Sequence, residues 1–222
     1  MDFDFSPVWG GWRELAYGTW ITVAVTAGAI VLGCAIGLVI GLGRLDPRRR
    51  VIYGLCTAYV SFIRGTPLLV QLFIWFFGLP HFGINLPAFV CGVVGMGMYS
   101  GAYVSEIVRG AIQSIDRGQL EAARSLGMSY RVAMREIVVP QAVVRMIPPL
   151  GNEFIALIKN SSLVSLLTIT DVMHEGQKII STSYRSLEVY LAIALVYFVL
   201  TNLTGLALRM VERRLGANGL AQ

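Results

Sequence analysis

Five stretches of the chain are rich in apolar residues, and more polar segments separate them. The apolar stretches lie at about residues 17–43, 51–79, 88–108, 147–169 and 187–208. Each is close to or longer than the roughly 20 apolar residues that an α-helix needs to cross the hydrocarbon core of a bilayer. The pattern predicts an all-α integral membrane protein with five transmembrane helices, forming a single domain over residues 1–222.

The predicted spans differ in their internal detail. In the first, Gly33, Gly37 and Gly41 recur every fourth residue, so they lie on one helix face where a second helix can pack closely. The second is interrupted at residues 64–67, where Pro67 removes a helix hydrogen bond. In the fourth we expect Pro149 in the first helical turn. Residues 1–16 are expected to form an amphipathic lead-in.

Composition supports the membrane assignment and excludes several classes of function. Charged residues make up 14% of the chain, against roughly 25% in soluble domains, and the mean hydropathy is +0.67. No GxxxxGK[ST], HExxH or GxSxG motif is present, and His81 and His174 are too few for a zinc site. We therefore expect no enzyme activity, no metal or cofactor in this chain, and no nucleic-acid partner.

The basic residues predict the orientation in the membrane. The connections after the first and third spans, together with the C-terminal segment, contain thirteen arginines, whereas the opposite side has only Arg13, Lys178 and Arg185. Basic residues concentrate on the cytoplasmic side of membrane proteins. The N-terminus is thus predicted outside and the C-terminus in the cytoplasm.

Among the charged residues inside the predicted spans, three stand out, namely Arg64, Glu153 and Lys159. Such charges are costly in lipid, so they are usually paired or functional. In the functional interpretation, Lys159 meets the carboxylate of a zwitterionic solute and Glu153 meets an amine. Glu153 and Asn160 share a helix face, whereas Lys159 points about 120° away. The substrate-binding candidates are Glu153, Lys159, Asn160, Ser161, Gln71 and Ser100.

The alternative interpretation of these charges is structural. Each could neutralise a partner, such as Arg64 or Glu106, or reach the interface. For Arg64 we expect a structural role that holds the broken second helix together. For Glu106 we expect an i,i+3 ion pair with Arg109 at the membrane edge.

The polar segment 109–145 contains a basic, helix-forming stretch that Gly127 interrupts. Physically it could be a helix lying on the membrane surface. Its Glu121-Ala122-Ala123, Gly127 and Ile137-Val138-Val139-Pro140 resemble the EAA loop of ABC importer permeases, with Val139 replacing the usual Leu. Further motifs resemble the polar amino-acid permeases (histidine, glutamine, glutamate, arginine, opines): Arg64-Gly65-Thr66-Pro67 with Gln71, Glu106–Gly110, and Lys159–Leu163.

This resemblance covers about residues 19–212 and implies a type I ABC importer permease fold in the cell inner membrane. It also implies a dimer with an identical or similar permease, two ATPase subunits that bind ATP and Mg²⁺, and an external solute-binding protein. The predicted ATPase-coupling residues are Glu121, Ala122, Ala123, Arg124, Gly127 and Met128. A polar amino acid, basic if Glu153 binds its side chain, is the implied substrate.

Two other functions remain open from the residues alone. A stand-alone channel or secondary carrier would transport without an ATPase partner, although no inverted repeat is visible. A membrane scaffold would have no solute path, and substitutions of Glu153 and Lys159 would leave uptake intact.

Overall fold

The computed structural model describes residues 3–216, which are mainly helical and contain no strand. Parts of the predicted lead-in and of the predicted domain, residues 1–2 and 217–222, lie outside this range. The helices are α1 (Ser6–Gly10), α2 (Trp12–Gly43), α3 (Arg50–Gly65), α4 (Leu68–Phe73), α5 (Ala88–Gln113), α6 (Arg117–Ser125), α7 (Tyr130–Ala133), α8 (Val139–Asn160), α9 (Val172–Ser183) and α10 (Ser186–Gly216). Two π-helical turns (Ile74–Gly78, Met134–Val138) and two 3-10 turns (Leu79–Phe82, Ser161–Leu167) extend them.

Three helices are long and apolar enough to cross a membrane by themselves. They are α2, α5 and the part of α10 at Ser186–Arg214. Two further candidates are bent pairs, Arg50–Gly65 with Leu68–Phe82 at 107° and Tyr130–Leu167 with Val172–Ser183 at 53°. By length and composition, the described residues therefore provide three spans, or up to five if each bent pair is one span.

The helices α2 and α5 form the most extensive helix contact, and glycines make it close. A Cβ atom on Gly37 would lie 2.5 Å from Cβ of Val104 and 3.0 Å from the carbonyl oxygen of Gly101. In return, a Cβ on Gly101 would lie 2.7 Å from Ile36. The predicted small-residue face on the first span is confirmed, since no larger residue fits between these two backbones.

The predicted break in the second apolar stretch is also confirmed. Helix α3 ends at Gly65, Pro67 is extended, and α4 begins at Leu68. The side-chain nitrogen of Gln71 donates to the carbonyl of Ile63 at 2.8 Å and to the hydroxyl of Thr66 at 2.8 Å. The hydrogen bonds across the break thus come from Gln71, whereas Arg64 contacts Glu106 and Tyr103 of α5 from the end of α3.

The fourth apolar stretch differs from the prediction at its start. Helix α8 begins at Val139 and continues through Pro148 and Pro149, so Pro149 does not lie in a first turn. Prolines inside a helix leave the carbonyls four residues earlier without a donor. The helix nevertheless continues, because the residues on both sides of the two prolines pack on α5 and α10. This packing is more favourable than the lost hydrogen bonds are costly.

The polar connection between the fourth and fifth predicted spans contains a helix, α9 (Val172–Ser183). Asp171 caps α9 by accepting a hydrogen bond from the backbone nitrogen of His174 at 2.9 Å. The helix lies between α2 and α10, and Val172 and Gly176 are buried there. The sequence contains a signal for it, since Asp at the cap followed by Glu175 in the first turn is typical of a helix start.

The main core lies where α2, α4, α5, α8 and the 3-10 turn after α8 converge. Its fully buried side chains include Val25, Leu72, Met96, Leu157 and Leu167. The broken second stretch thus inserts its half-helix α4 into the centre of the protein. At the break itself, Gly65 and Pro67 are exposed, and the hydrogen bonds from Gln71 supply the partners that a broken helix needs at membrane depth.

Candidate functional site

The segment between α5 and α8 folds into a compact helix–turn–helix. Asp116 begins α6 by accepting a hydrogen bond from the backbone of Gly118 at 2.6 Å. At the other end, the backbone nitrogens of Gly127 and Met128 donate to the carbonyls of Arg124 and Ala123 at 3.0 and 3.2 Å. This pair of hydrogen bonds is typical of a Schellman motif, and Gly127 adopts the left-handed conformation of that motif with φ +86°.

The predicted coupling residues are mostly on the surface of this turn. Glu121, Ala122, Arg124 and Gly127 are exposed and Met128 is half-buried, whereas Ala123 is only 5% exposed and anchors α6 to its own chain.

Leu126 is a further exposed residue of the turn that the sequence motif does not single out. It is 82% exposed at the tip of the turn, directly before Gly127. A single exposed apolar residue is ordinary on a protein surface, so it is the place of Leu126 at the tip of the turn that makes it accessible to a protein partner. Its position beside the left-handed glycine is the sequence signal that could have identified it.

A separate small apolar cluster packs this helix–turn–helix segment against the rest of the protein. Ala111, Ile115, Val138 and Ala142 are buried together where α5 meets α8. The Arg145 guanidinium also donates to the carbonyl of Ser114 at 2.7 Å, across 31 residues of chain. The segment is therefore packed against both helices rather than attached to them as a loose loop.

Glu153 lies on the face of α8 that meets α5. Its carboxylate is within interaction range of the Ser100 hydroxyl, although the two atoms do not reach hydrogen-bond geometry. The Ser100 oxygen is fully buried and has no hydrogen-bond partner among residues 3–216. Two of the predicted substrate residues, Glu153 and Ser100, thus lie near each other, but the Ser100 hydroxyl is buried where α5 packs on Gly33 of α2.

The other substrate candidates occupy different surroundings. Lys159 is exposed, and its ammonium has no ion pair or hydrogen bond within the described part of the chain. Asn160 is half-buried at the end of α8, and the Ser161 hydroxyl bonds the carbonyl of Ile158 at 2.7 Å. The side-chain nitrogen of Gln71 donates to the carbonyl of Ile63 at the helix break, while its buried side-chain oxygen has no hydrogen-bond partner among the described residues.

Glu106 is the centre of the most extensive ion-pair group in the described residues. It accepts from Arg109 at 2.6 and 3.2 Å, which confirms the predicted i,i+3 pair. It also accepts from Arg44 at the end of α2, and the Arg64 guanidinium lies 3.7 Å away. Sequence patterns do not predict the contact with Arg44, because the two residues are 62 positions apart.

Comparisons with known proteins agree with this architecture. Residues 29–217 match the family model described as the binding-protein-dependent transport system inner membrane component. The glutamine transport system permease protein GlnP of Escherichia coli (strain K12) is 37% identical over 97% of this chain and 99% of its own. The arginine transport system permease protein ArtQ of Bacillus subtilis (strain 168) is 35% identical over 98% and 100%.

Solved structures extend the comparison to three dimensions. The crystal structure of an amino acid ABC transporter with histidines superposes with a TM-score of 0.90 at 41% identity, covering 96% of this chain and 100% of that chain. An inward-facing structure of the MetNI methionine ABC transporter has a TM-score of 0.77 at 20% identity, covering 91% and 96%, and shows the shared fold alone. The chain therefore belongs to the family of binding-protein-dependent transport system inner membrane components, the permease subunits of ABC transporters.

Proposed function

We propose that this chain is the permease of an ATP-driven importer for a polar amino acid, with five transmembrane spans. The bent pairs α3–α4 and α8–α9 would each form one span. The N-terminus would lie outside and the C-terminus in the cytoplasm, since the thirteen arginines of the connections and C-terminal segment then fall on the cytoplasmic side. The segment α6–α7 would be cytoplasmic in this orientation.

The exposed turn at Gly127 is the observation that supports coupling to a partner. It places Glu121, Arg124 and Leu126 at the surface, on a segment firmly attached to α5 and α8. A dimer of ATPase subunits, binding ATP and Mg²⁺, would receive α6 in a groove. Closure of that dimer would then move the attached helices as rigid bodies and alternate access to a central path.

The remaining partners follow from the type of transporter. A second permease subunit, identical or similar, would complete the path along α5 and α8, where Glu153 is half-buried in the single chain. An external solute-binding protein would deliver the substrate. Relatives named for glutamine and arginine transport and for cystine transport support a polar amino acid as the class of solute.

Glu153 would contribute the anionic side of the substrate site. Its carboxylate can accept the α-amine of any amino acid, or the cationic side chain of a basic one. Lys159 and Asn160 lie further along the same helix, and Ser161 begins the 3-10 turn that follows it. A Glu153→Gln variant would discriminate the two roles. If Glu153 binds the α-amine, binding of every amino acid should weaken, whereas if it binds a cationic side chain, only binding of basic amino acids should weaken.

The docking proposal is tested with the full complex reconstituted in liposomes. Gly127→Val adds a β-branched residue where φ is +86°, although no atom lies within 4 Å of the new Cβ. The cost is thus confined to the backbone of the turn. We expect ATP-dependent uptake to fall at least tenfold while membrane insertion is unchanged, with uptake and ATP hydrolysis measured in the same vesicles.

Gly110→Val is the matched control. Gly110 is an exposed helical residue of α5, and a Cβ added there would have no neighbour within 4 Å, so uptake should stay near the wild-type rate. Wild-type uptake in the Gly127→Val complex would overturn the docking proposal. Uptake by the permease alone, without the ATPase and without ATP, would overturn the importer proposal itself.

A further inference from the structure

The group around Glu106 has more positive charge than it can neutralise. Three guanidinium groups, those of Arg44, Arg64 and Arg109, share the single carboxylate of Glu106. Two positive charges are therefore left without a compensating acidic group in this cluster. An excess of positive charge attracts an anion from its surroundings.

The three arginines differ in how firmly they are held. Arg44 bonds both Glu106 and the hydroxyl of Thr57, and its side chain is only 10% exposed. Arg109 bonds Glu106 twice and Gln113 at 2.8 Å. Arg64 makes no hydrogen bond within the described part of the chain, stands 3.7 Å from Glu106, and is 46% exposed. The excess charge is thus available at Arg64.

Two tyrosines of α5 lie beside Arg64. The Arg64 guanidinium lies over the ring of Tyr103, 5.2 Å from its centroid. One turn earlier on α5, the hydroxyl of Tyr99 lies 3.2 Å from that of Tyr103. Glu153 is half-buried on α8, which packs on the same helix α5 that carries both tyrosines. The cationic Arg64 at the end of α3 and the anionic Glu153 of α8 thus belong to two elements that both pack on α5.

We propose that Arg64 binds the carboxylate of the transported amino acid while Glu153 binds its amine or cationic side chain. The proposal rests on the proposed function and specifies which residue recognises the acidic end of the substrate. A guanidinium can bind a carboxylate through two parallel hydrogen bonds, which an ammonium cannot do. Lys159 is the less suitable partner, because it points about 120° from Glu153 around α8.

A purely structural role for Arg64 makes a different prediction. If Arg64 only balances Glu106, removing its charge changes the stability of the protein but not its preference for a carboxylate. If Arg64 binds the substrate, the preference itself is lost. Comparison of an amino acid with its α-carboxamide measures that preference directly, since the amide keeps the side chain and the amine.

The experiment uses the purified permease–ATPase complex, without the binding protein, in equilibrium dialysis. The twenty protein amino acids are screened at neutral pH, and the best-bound one is compared with its α-carboxamide. We expect the wild-type complex to prefer the carboxylate at least tenfold. Arg64→Gln should reduce this ratio to about one, and Arg64→Lys should retain part of it.

Arg109→Gln is the control, because it also removes a positively charged partner of Glu106. Arg109 does not contact Tyr99 or Tyr103 in the described residues. This variant should keep the wild-type ratio, and thermal unfolding of each variant establishes that the complex is folded. An unchanged ratio in folded Arg64→Gln overturns the inference, as does an equal loss in Arg109→Gln. A wild-type complex that binds none of the twenty amino acids instead overturns the amino-acid part of the proposed function.

Discussion

The side-chain nitrogen of Gln71 donates to the carbonyl oxygen of Ile63 at 2.8 Å, across the break between α3 and α4. The same nitrogen reaches the backbone and side-chain oxygens of Thr66 at 3.1 and 2.8 Å. Gln71 is 3% exposed. One buried amide therefore satisfies backbone groups that Pro67 and the 107° bend leave without helical partners.

Gln71→Leu should destabilise the protein by about 1–3 kcal/mol, because the carbonyl of Ile63 is then buried without a donor. The measurement is the free energy of unfolding of the permease in mixed detergent. Gln119→Leu is the matched control, since Gln119 is exposed on α6, and its effect should be within about 0.5 kcal/mol. Equal stability of Gln71→Leu and wild type would mean that water satisfies the break.

The break shows how far a sequence can predict a membrane fold. Pro67 and Gly65 identify the position where the helix must end, because their backbone chemistry is local. The group that satisfies the freed carbonyl is the side chain of Gln71, which lies on the next helix. It reaches Ile63 only because the chain bends between α3 and α4. Residue type alone makes Gln71 a candidate to bind the substrate. In the fold, its side-chain nitrogen instead donates to the backbone carbonyl of Ile63.

Glu106 should be coupled more strongly to Arg44 than to Arg64. A double-mutant cycle with Glu106→Gln and Arg44→Gln is expected to give about 1–3 kcal/mol, since this pair is hydrogen-bonded and largely buried. The same cycle with Arg64→Gln should give about 0.5 kcal/mol or less, because Arg64 is half exposed and 3.7 Å away. Unfolding free energies of the single and double variants provide both values.

Equal coupling energies for the two arginines would contradict this ranking and would make Arg64 an integral part of the ion-pair group. The i,i+3 pair with Arg109 can be predicted from the sequence because helix geometry fixes it. The pairs with Arg44 and Arg64 depend on how α2 and α3 cross α5. The charges alone indicate candidates for pairing, but only the tertiary packing selects the partner.

Gly18 should tolerate no side chain, although it lies in a regular helix. A Cβ there would be 2.8 Å from the carbonyl oxygen of Asp171 and 2.8 Å from Cα of Val172. Both are backbone atoms of the α9 start, so no rotamer change relieves the contact. Gly18→Ala is expected to cost about 1–3 kcal/mol of unfolding free energy.

Gly54 provides the control for Gly18, because nothing lies within 4 Å of its Cβ position in α3. Gly54→Ala should be neutral or stabilise by up to about 1 kcal/mol through helix propensity. Destabilisation of both variants by the same amount would show that alanine itself, rather than the approach of α9, is responsible.

Asp171 should act through its capping oxygen rather than through its charge. One oxygen accepts from the backbone of His174 at 2.9 Å, while the other is buried without a hydrogen-bond partner among the described residues, near the Tyr197 hydroxyl. Asp171→Ala removes the cap and should cost about 0.5–2 kcal/mol. Asp171→Asn keeps an acceptor for α9 and adds a donor that can face Tyr197, so its thermal midpoint should equal or exceed the wild-type value. A midpoint for Asp171→Asn as low as that of Asp171→Ala would instead show that the negative charge itself stabilises this junction.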